Sequence, residues 1–203
     1  MDSGIDAVLF DLGGVLVELG GPETHGHLVG TFDAAEIAAI WSTCPVVHAY
    51  ERGELSTSDF ADAMIARYHL DLVPDAYLRA YLDWARGLFP GVNEMLGSLA
   101  PGLKSGCLSN MGELHWQTQN AAWNYDAMFD VALASFQLGV CKPAPEIYAV
   151  AAERLETPPG RILFLDDNPP NVEAARAFGM RAECVRGPNG ARDALRRLDL
   201  LAG

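Results

Sequence analysis

Chemistry-bearing side chains close apolar runs at three places along this chain. Val8-Leu9-Phe10-Asp11-Leu12-Gly13-Gly14 ends its run in a carboxylate followed by two glycines. Gly106-Cys107-Leu108-Ser109-Asn110 ends in a hydroxyl and an amide, and Leu163-Phe164-Leu165-Asp166-Asp167-Asn168 ends in paired carboxylates. Between the second and the third, Lys142 lies in Gly-Val-Cys-Lys-Pro-Ala-Pro-Glu. It is one of only two lysines in the chain, with Lys104, so its retention in a proline-rich loop points to chemistry rather than to solubility.

Each cluster alone has a plain structural reading. Asp11 can close a strand in an Asx-turn, and Asp166 to Asn168 can cap a helix entering through Pro169 and Pro170. Adjacent carboxylates after a buried strand are nevertheless unfavourable unless a cation or hydrogen bonds satisfy them. Asp166-Asp167 therefore calls for a metal or for nearby donors, and Asn171 stands four residues after Asp167 as such a donor.

Five runs rich in strand formers present these residues: Ile5–Phe10, Lys104–Ser109, Val131–Ser135, Arg161–Leu165 and Arg181–Val185. Segments of helical period separate the later ones. Ile147, Val150, Ala151 and Leu155 share a face, as do Val172, Ala175 and Phe178, with Gly179 placed to end that helix. Alternating buried strands and helices predict an α/β fold, a Rossmann-like, doubly wound and mostly parallel sheet. In such sheets ligands bind beyond the carboxyl ends of the strands, where these polar residues fall.

The alternation lapses after the first strand. Ser56-x-x-Asp59 and Asp33-x-x-Glu36 read as helix starts, and Leu78, Tyr81, Leu82 and Ala85 form a further helical stripe after Pro74. The expected organisation is a catalytic core of residues 1–16 and 89–203, interrupted by a helical cap subdomain over residues 17–88.

Taken together and in this order, with spacings of 98, 33 and 24 residues from Asp11 through Ser109 and Lys142 to Asp166, the motifs resemble the haloacid dehalogenase-like (HAD) hydrolase superfamily. The resemblance covers essentially the whole chain. The insertion stands where this family places a helical cap. Asp-Leu-Gly-Gly-Val, His48-Ala-Tyr-Glu-Arg-Gly-Glu54 and Asp-Asp-Asn-Pro-Pro-Asn are most similar to a branch holding bacterial sugar-phosphate phosphatases and the phosphatase domain of soluble epoxide hydrolases.

The resemblance implies an Mg²⁺-dependent phosphatase acting on a small phosphorylated metabolite, such as a sugar phosphate. Asp11 would be the nucleophile, carrying an aspartyl-phosphate that water then hydrolyses. Mg²⁺ would be held by Asp11, the Gly13 carbonyl and Asp167, with Asp166 close by. Lys142 would neutralise charge on Asp11 and the phosphoryl oxygens, and Ser109 and the Asn110 backbone would donate hydrogen bonds to them. The cap chooses the substrate in this family, making Trp41, His48, Glu51, Arg52 and Trp84 candidates; Arg52 could pair with the substrate, or belong to a solvated turn.

One departure stands out. Most phosphatases of this family carry a second aspartate two residues after the nucleophile, and here that position is Gly13. General acid–base catalysis contributes roughly 10²–10⁴-fold, so three readings follow. In the first, phosphatase activity persists on a substrate whose leaving group needs less protonation, or with water or a cap residue moving the proton. In the second, the chain is a 2-haloacid dehalogenase, whose branch also lacks the second acid but needs no Mg²⁺. In the third, it is a phosphate-binding or regulatory protein without efficient turnover.

Composition narrows the partners. Fourteen Lys and Arg against 27 Asp and Glu give a net charge of −13, which opposes a nucleic-acid partner. No apolar stretch is long enough for a membrane helix, and Asp2 and Asp6 replace a basic leader start, so a cytoplasmic location is expected. Cys44, Cys107, Cys141 and Cys184 match no metal or redox spacing and are expected as buried thiols. His25-Gly26-His27 is insufficient for a metal site. Trp116 and Trp123, seven apart, are expected to pack a helix face rather than to stack on a ligand, although Trp116 follows Ser109 closely enough to reach the mouth of the site. Walker A, Gly-x-Gly-x-x-Gly, Gly-x-Ser-x-Gly and His-Glu-x-x-His motifs are absent.

Overall fold

The computed structural model describes residues 4–202. Strand β1 (Ala7–Phe10) leads through a tight turn into β2 (Val17–Leu19). Helices α1 (Pro22–Val29), α2 (Ala34–Thr43), α3 (Pro45–Glu51), α4 (Thr57–Tyr68) and α5 (Pro74–Leu82) follow, and β3 (Ala85–Leu88) pairs back antiparallel onto β2. After α6 (Val92–Gly97) come β4 (Lys104–Ser109), α7 (Glu113–Trp123), α8 (Tyr125–Met128), β5 (Val131–Ala134) and α9 (Ser135–Leu138). The chain continues with α10 (Pro145–Arg154), a 3₁₀ turn at Pro159–Arg161, β6 (Ile162–Asp166), α11 (Pro169–Phe178), β7 (Arg181–Cys184) and α12 (Gly187–Arg197).

The five core strands form a parallel sheet in the order β5-β4-β1-β6-β7. Every residue of β1 and β6 is buried, and period-two alternation sends their side chains to opposite faces. Val8, Phe10, Leu163 and Leu165 pack with Val92, Met95, Trp116, Ala194 and Leu195 on one face, while Ala7, Leu9, Ile162 and Phe164 pack with Ile147, Tyr148 and Val172 on the other. The sheet is therefore wound on both sides, as its run pattern predicts. Because β4 and β6 flank β1 and the chain departs from β1 in opposite directions, a crevice opens at the carboxyl end of β1.

Helices α1–α5 enclose an apolar cluster of their own, built on Leu28, Ile37, Val47, Tyr50, Phe60, Met64, Tyr77 and Tyr81. The capping signals act as read: Asp33 accepts from the amides of Ala35 and Glu36, and Ser56 from that of Asp59. Gly179 ends α11 in the left-handed conformation. The stripe extended to Ala85 is corrected, since α5 stops at Leu82 and Ala85 pairs with Leu19 as the first residue of β3. The β2–β3 ribbon links the helical cluster to the sheet.

Among the cysteines, Cys44 and Cys107 are buried, but Cys141 is half-buried and Cys184 is exposed because β7 is an edge strand. Trp116 packs the core-facing side of α7, as expected of a helix-face tryptophan. It is buried against Tyr125, with ring centroids 5.4 Å apart. No helix among the described residues is long and apolar enough to cross a membrane.

Candidate functional site

Asp11 follows β1 directly, its amide bonded to the Leu165 carbonyl of β6 at 2.8 Å and its Oδ1 accepting from the Leu12 amide at 2.8 Å. The parallel register fixes what stands beside it: Ser109 and Asn110 end β4 on one side, and Asp166 and Asp167 end β6 on the other. Asp11, Asp166 and Asp167 each offer an oxygen within 4.8 Å of the others.

Lys142 enters from the loop after α9. Its ammonium is buried, 2.9 Å from Asp11 Oδ1 and 2.7 Å from Asp166 Oδ2, and it donates to the Leu108 carbonyl at 2.9 Å. The loop is held by Asn110, whose Oδ1 accepts from the Lys142 amide at 2.8 Å and whose Nδ2 donates to the Lys142 carbonyl at 2.9 Å. The Asn110 side chain is thus committed to positioning Lys142, which leaves its backbone as the part that can face a ligand. Ser109 is buried at the end of β4.

The two consecutive aspartates differ in surroundings. Asp166 is fully buried and accepts from Lys142, from the Asn168 amide at 2.8 Å, and from Asn171 Nδ2 at 3.1 Å to each of its oxygens. It is saturated within the protein and orients its donors. Asp167 is half-buried and lies against Gly14, which has φ +71° and where any Cβ would overlap the Asp167 carboxylate. Gly14 is required twice over, by its left-handed backbone and by the close approach of Asp167.

Electrostatics follow from three carboxylates facing one ammonium. Burial pushes Asp11 up to about 7, with Lys142 pulling it down and Asp166 raising it further. Asp167 is also raised, by burial and then by Asp166. Burial alone would lower Lys142, but Asp11 and Asp166 outweigh it and hold the ammonium charged. The cluster therefore has negative charge to spare, carried on hard carboxylate oxygens, and the donor set of Asp11 and Asp167 fits a divalent cation such as Mg²⁺.

Arg52 stays outside this group. Its guanidinium forms a bidentate pair with Glu54 at 2.7 and 2.8 Å in a partly exposed turn. The neighbouring Glu51 instead feels Lys142 and Asp11, and burial pushes it up to about 8. Of the remaining cap candidates, Trp41 and Trp84 fall into an aromatic cluster, 4.8 Å apart between ring centroids with His25 packed on Trp84 at 4.0 Å, whereas His48 is half-buried in α3 and has no part in that cluster's ring contacts. His27 packs on Phe32 instead, so the two histidines of the pair do not converge.

A family model for haloacid dehalogenase-like hydrolase matches residues 5–179. Acyl-CoA dehydrogenase family member 10 of Mus musculus is 28% identical over 210 residues, covering 97% of this chain, which spans only 19% of that protein's length. A phosphoglycolate phosphatase of Nitrosospira multiformis is 34% identical over 107 residues, 52% of this chain and 47% of the phosphatase. The crystal structure of a HAD family enzyme from Bacteroides thetaiotaomicron, in complex with magnesium and inorganic phosphate, shares the fold with a TM-score of 0.71. It is 20% identical, and the superposition covers 90% of this chain and 94% of that one.

Proposed function

Because the chain belongs to the haloacid dehalogenase-like hydrolases, matched by the family model over residues 5–179, we propose that it is an Mg²⁺-dependent phosphatase of a small phosphorylated metabolite. The observation that carries this reading is the buried Lys142 bridging Asp11 and Asp166, with Asp167 alongside. A carboxylate at a sheet's carboxyl edge, with a fixed cation and spare acidic ligands beside it, is equipped to attack a dianion. The magnesium and phosphate held by the Bacteroides enzyme and the activity named for the Nitrosospira relative support the same choice.

Asp11 and Asp167 would hold the metal, joined by the Gly13 carbonyl. Bound there, Mg²⁺ supplies neutralisation of like charges between nucleophile and phosphate. Lys142 steadies Asp11 and receives phosphoryl oxygen charge. Ser109 and the Asn110 amide donate to the same oxygens. Asp11 attacks phosphorus, the bond to the leaving oxygen breaks, and water then releases phosphate from Asp11. Asp166 and Asn171 do no bond-making; they keep Lys142 in place.

Phosphate release from a panel of phosphomonoesters, with and without Mg²⁺, tests this beside chloride release from a 2-haloacid. Mg²⁺-dependent phosphate release that vanishes in Asp11→Asn is expected. Mg²⁺-independent chloride release would favour the dehalogenase, and no turnover at all would favour a phosphate-binding protein.

A further inference from the structure

We propose that Glu51, at the end of α3, is the proton-transfer residue of the active site, donating to the leaving group and then drawing a proton from the attacking water. This rests on the phosphatase reading and supplies the group that Gly13 lacks. Three observations place it there.

The first concerns the space above Gly13. A Cβ at this position would meet Leu19 Cδ1 at 3.2 Å. A second aspartate here would have to displace an apolar side chain from β2 by a few tenths of an ångström, and position 13 itself supplies no acid. The acid has to come from elsewhere.

The second is how α3 is fastened over the sheet edge. The Glu51 carbonyl accepts from Ser135 Oγ at 2.6 Å, and the same Oγ accepts from the Met111 amide at 2.9 Å. Ser135 follows β5 and Met111 follows the Ser109-Asn110 end of β4. Next to Glu51, the Tyr50 hydroxyl accepts from the Leu114 amide at 3.0 Å, while its ring lies so close on Gly112 that any side chain there would overlap it. Gly53, two residues on and with φ +71°, approaches the Phe136 carbonyl as closely as glycine allows. A cap residue is thereby tied through Ser135 to the end of β4, the strand that flanks Asp11, and to the end of β5 beyond it, one residue from the Asn110 that holds Lys142.

The third is what its carboxyl group faces. It lies within electrostatic reach of Lys142 and Asp11 at the sheet edge, of Arg52 in its own turn, of Tyr81 in α5 and of Cys141 in the Lys142 loop. Among the described residues it meets Lys142, Asp11 and Arg52 through space rather than through a hydrogen bond. Its neighbour Arg52 is satisfied by Glu54, so Glu51 keeps a carboxyl group uncommitted. Burial, which pushes it up to about 8, supplies the protonated form at neutral pH that a general acid needs.

The steps balance. As an Asp11 oxygen bonds phosphorus, the phosphorus–oxygen bond to the leaving group breaks, and that oxygen takes the Glu51 proton to depart as an alcohol. The Glu51 carboxylate then accepts a proton from water as the water oxygen bonds phosphorus. The bond between phosphorus and Asp11 breaks, phosphate leaves, and Glu51 is again protonated.

Rapid-quench kinetics of Glu51→Gln with Mg²⁺ provide the test, comparing p-nitrophenyl phosphate with glycerol phosphate. The nitrophenolate leaving group needs no proton, so a burst of about one equivalent is expected, followed by turnover slowed roughly 10²–10⁴-fold. Glycerol phosphate should lose the burst as well. Glu51→Asp, which keeps the acid, should regain part of the glycerol phosphate rate. An unchanged first turnover on both substrates, or an equal slowing of the first turnover on both with no recovery in Glu51→Asp, would overturn the assignment. If wild type turns over while Asp11→Asn does not, such a result removes only the role of Glu51. If wild type turns over neither ester, the phosphatase reading falls and this role with it.

Discussion

Asn110 holds Lys142 by both of its backbone polar groups, accepting from the amide at 2.8 Å and donating to the carbonyl at 2.9 Å. A side chain at the end of β4 thus sets the height at which the Lys142 ammonium meets Asp11 and Asp166. Asn110→Ala removes both bonds and leaves the Lys142 peptide group without these partners, an effect of roughly 1–3 kcal/mol per unsatisfied group. The melting temperature should fall and kcat should drop tenfold or more. A variant with wild-type kcat would show that the loop holds Lys142 without Asn110.

Lys142→Met has a larger expected effect, because it leaves Asp11 and the fully buried Asp166 facing each other with no cation. Removing one partner of a buried ion pair costs roughly 3–5 kcal/mol. Activity should fall by at least about 10²-fold. Lys142→Arg should not restore it, since a planar fork cannot replace a point charge that meets two carboxylates and the Leu108 carbonyl. Urea denaturation and steady-state rates measure the two effects, and a stable, active Lys142→Met would refute both.

Gly14→Ala should weaken Mg²⁺ binding tenfold or more and destabilise the fold, because its Cβ overlaps Asp167 and its φ of +71° disfavours alanine. Gly97→Ala, whose Cβ meets nothing within 4 Å, is the control and should leave Mg²⁺ affinity unchanged. Isothermal titration with Mg²⁺ compares them; equal affinities would remove Asp167 from the metal site.

The pH dependence of stability has an unusual sign. Asp11 is raised from 3.8 to about 7, so in the metal-free protein the folded state holds a proton that the unfolded state has released between those values. Stability from this group is complete below pH 4 and declines as pH rises through 7, by on the order of a few kcal/mol. Thermal melts in EDTA should fall from pH 5 to pH 8, and saturating Mg²⁺ should flatten the fall by favouring the ionised carboxylate. Asp11→Asn, with no charge to bury, should melt above wild type at pH 8 in EDTA. A wild type that gains stability over this range relative to Asp11→Asn would contradict the assignment.

Gly13→Asp alone should gain little activity, because the new side chain meets Leu19. Paired with Leu19→Ala, it should shorten the lifetime of the phosphorylated enzyme. A longer lifetime in the double variant would show that position 13 cannot take up the proton-transfer role.

The site was readable from sequence where it depends on strand ends. A parallel sheet buries its strands as continuous apolar runs, so Asp11, Ser109 and Asp166 announced themselves as polar residues closing them. The β2–β3 ribbon offered no such signal. Its strands have three and four residues, Glu18 and Leu19 are exposed, and Ala85 continues the helical spacing of Tyr81 and Leu82 without any backbone preference to betray the break. Glu51 and Arg52 are both charged residues before a glycine, and only the folded arrangement, with the Glu51 carbonyl bonded to Ser135 and the Arg52 guanidinium paired with Glu54, distinguishes them. The strand-end pattern points to the Asn110 backbone, whereas its side-chain clamp on Lys142 depends on a loop 32 residues away.

The proposed phosphatase chemistry stands on transfer of the phosphoryl group to Asp11. It is tested most directly by acid-quenching the Mg²⁺-loaded enzyme during turnover of a ³²P-labelled phosphomonoester and locating the protein-bound label by peptide mass. An acid-stable, alkali-labile phosphoryl group is expected on the peptide containing Asp11, absent from Asp11→Asn and longer-lived in Glu51→Gln. Turnover without any covalent label, or a label that persists in Asp11→Asn, would contradict it.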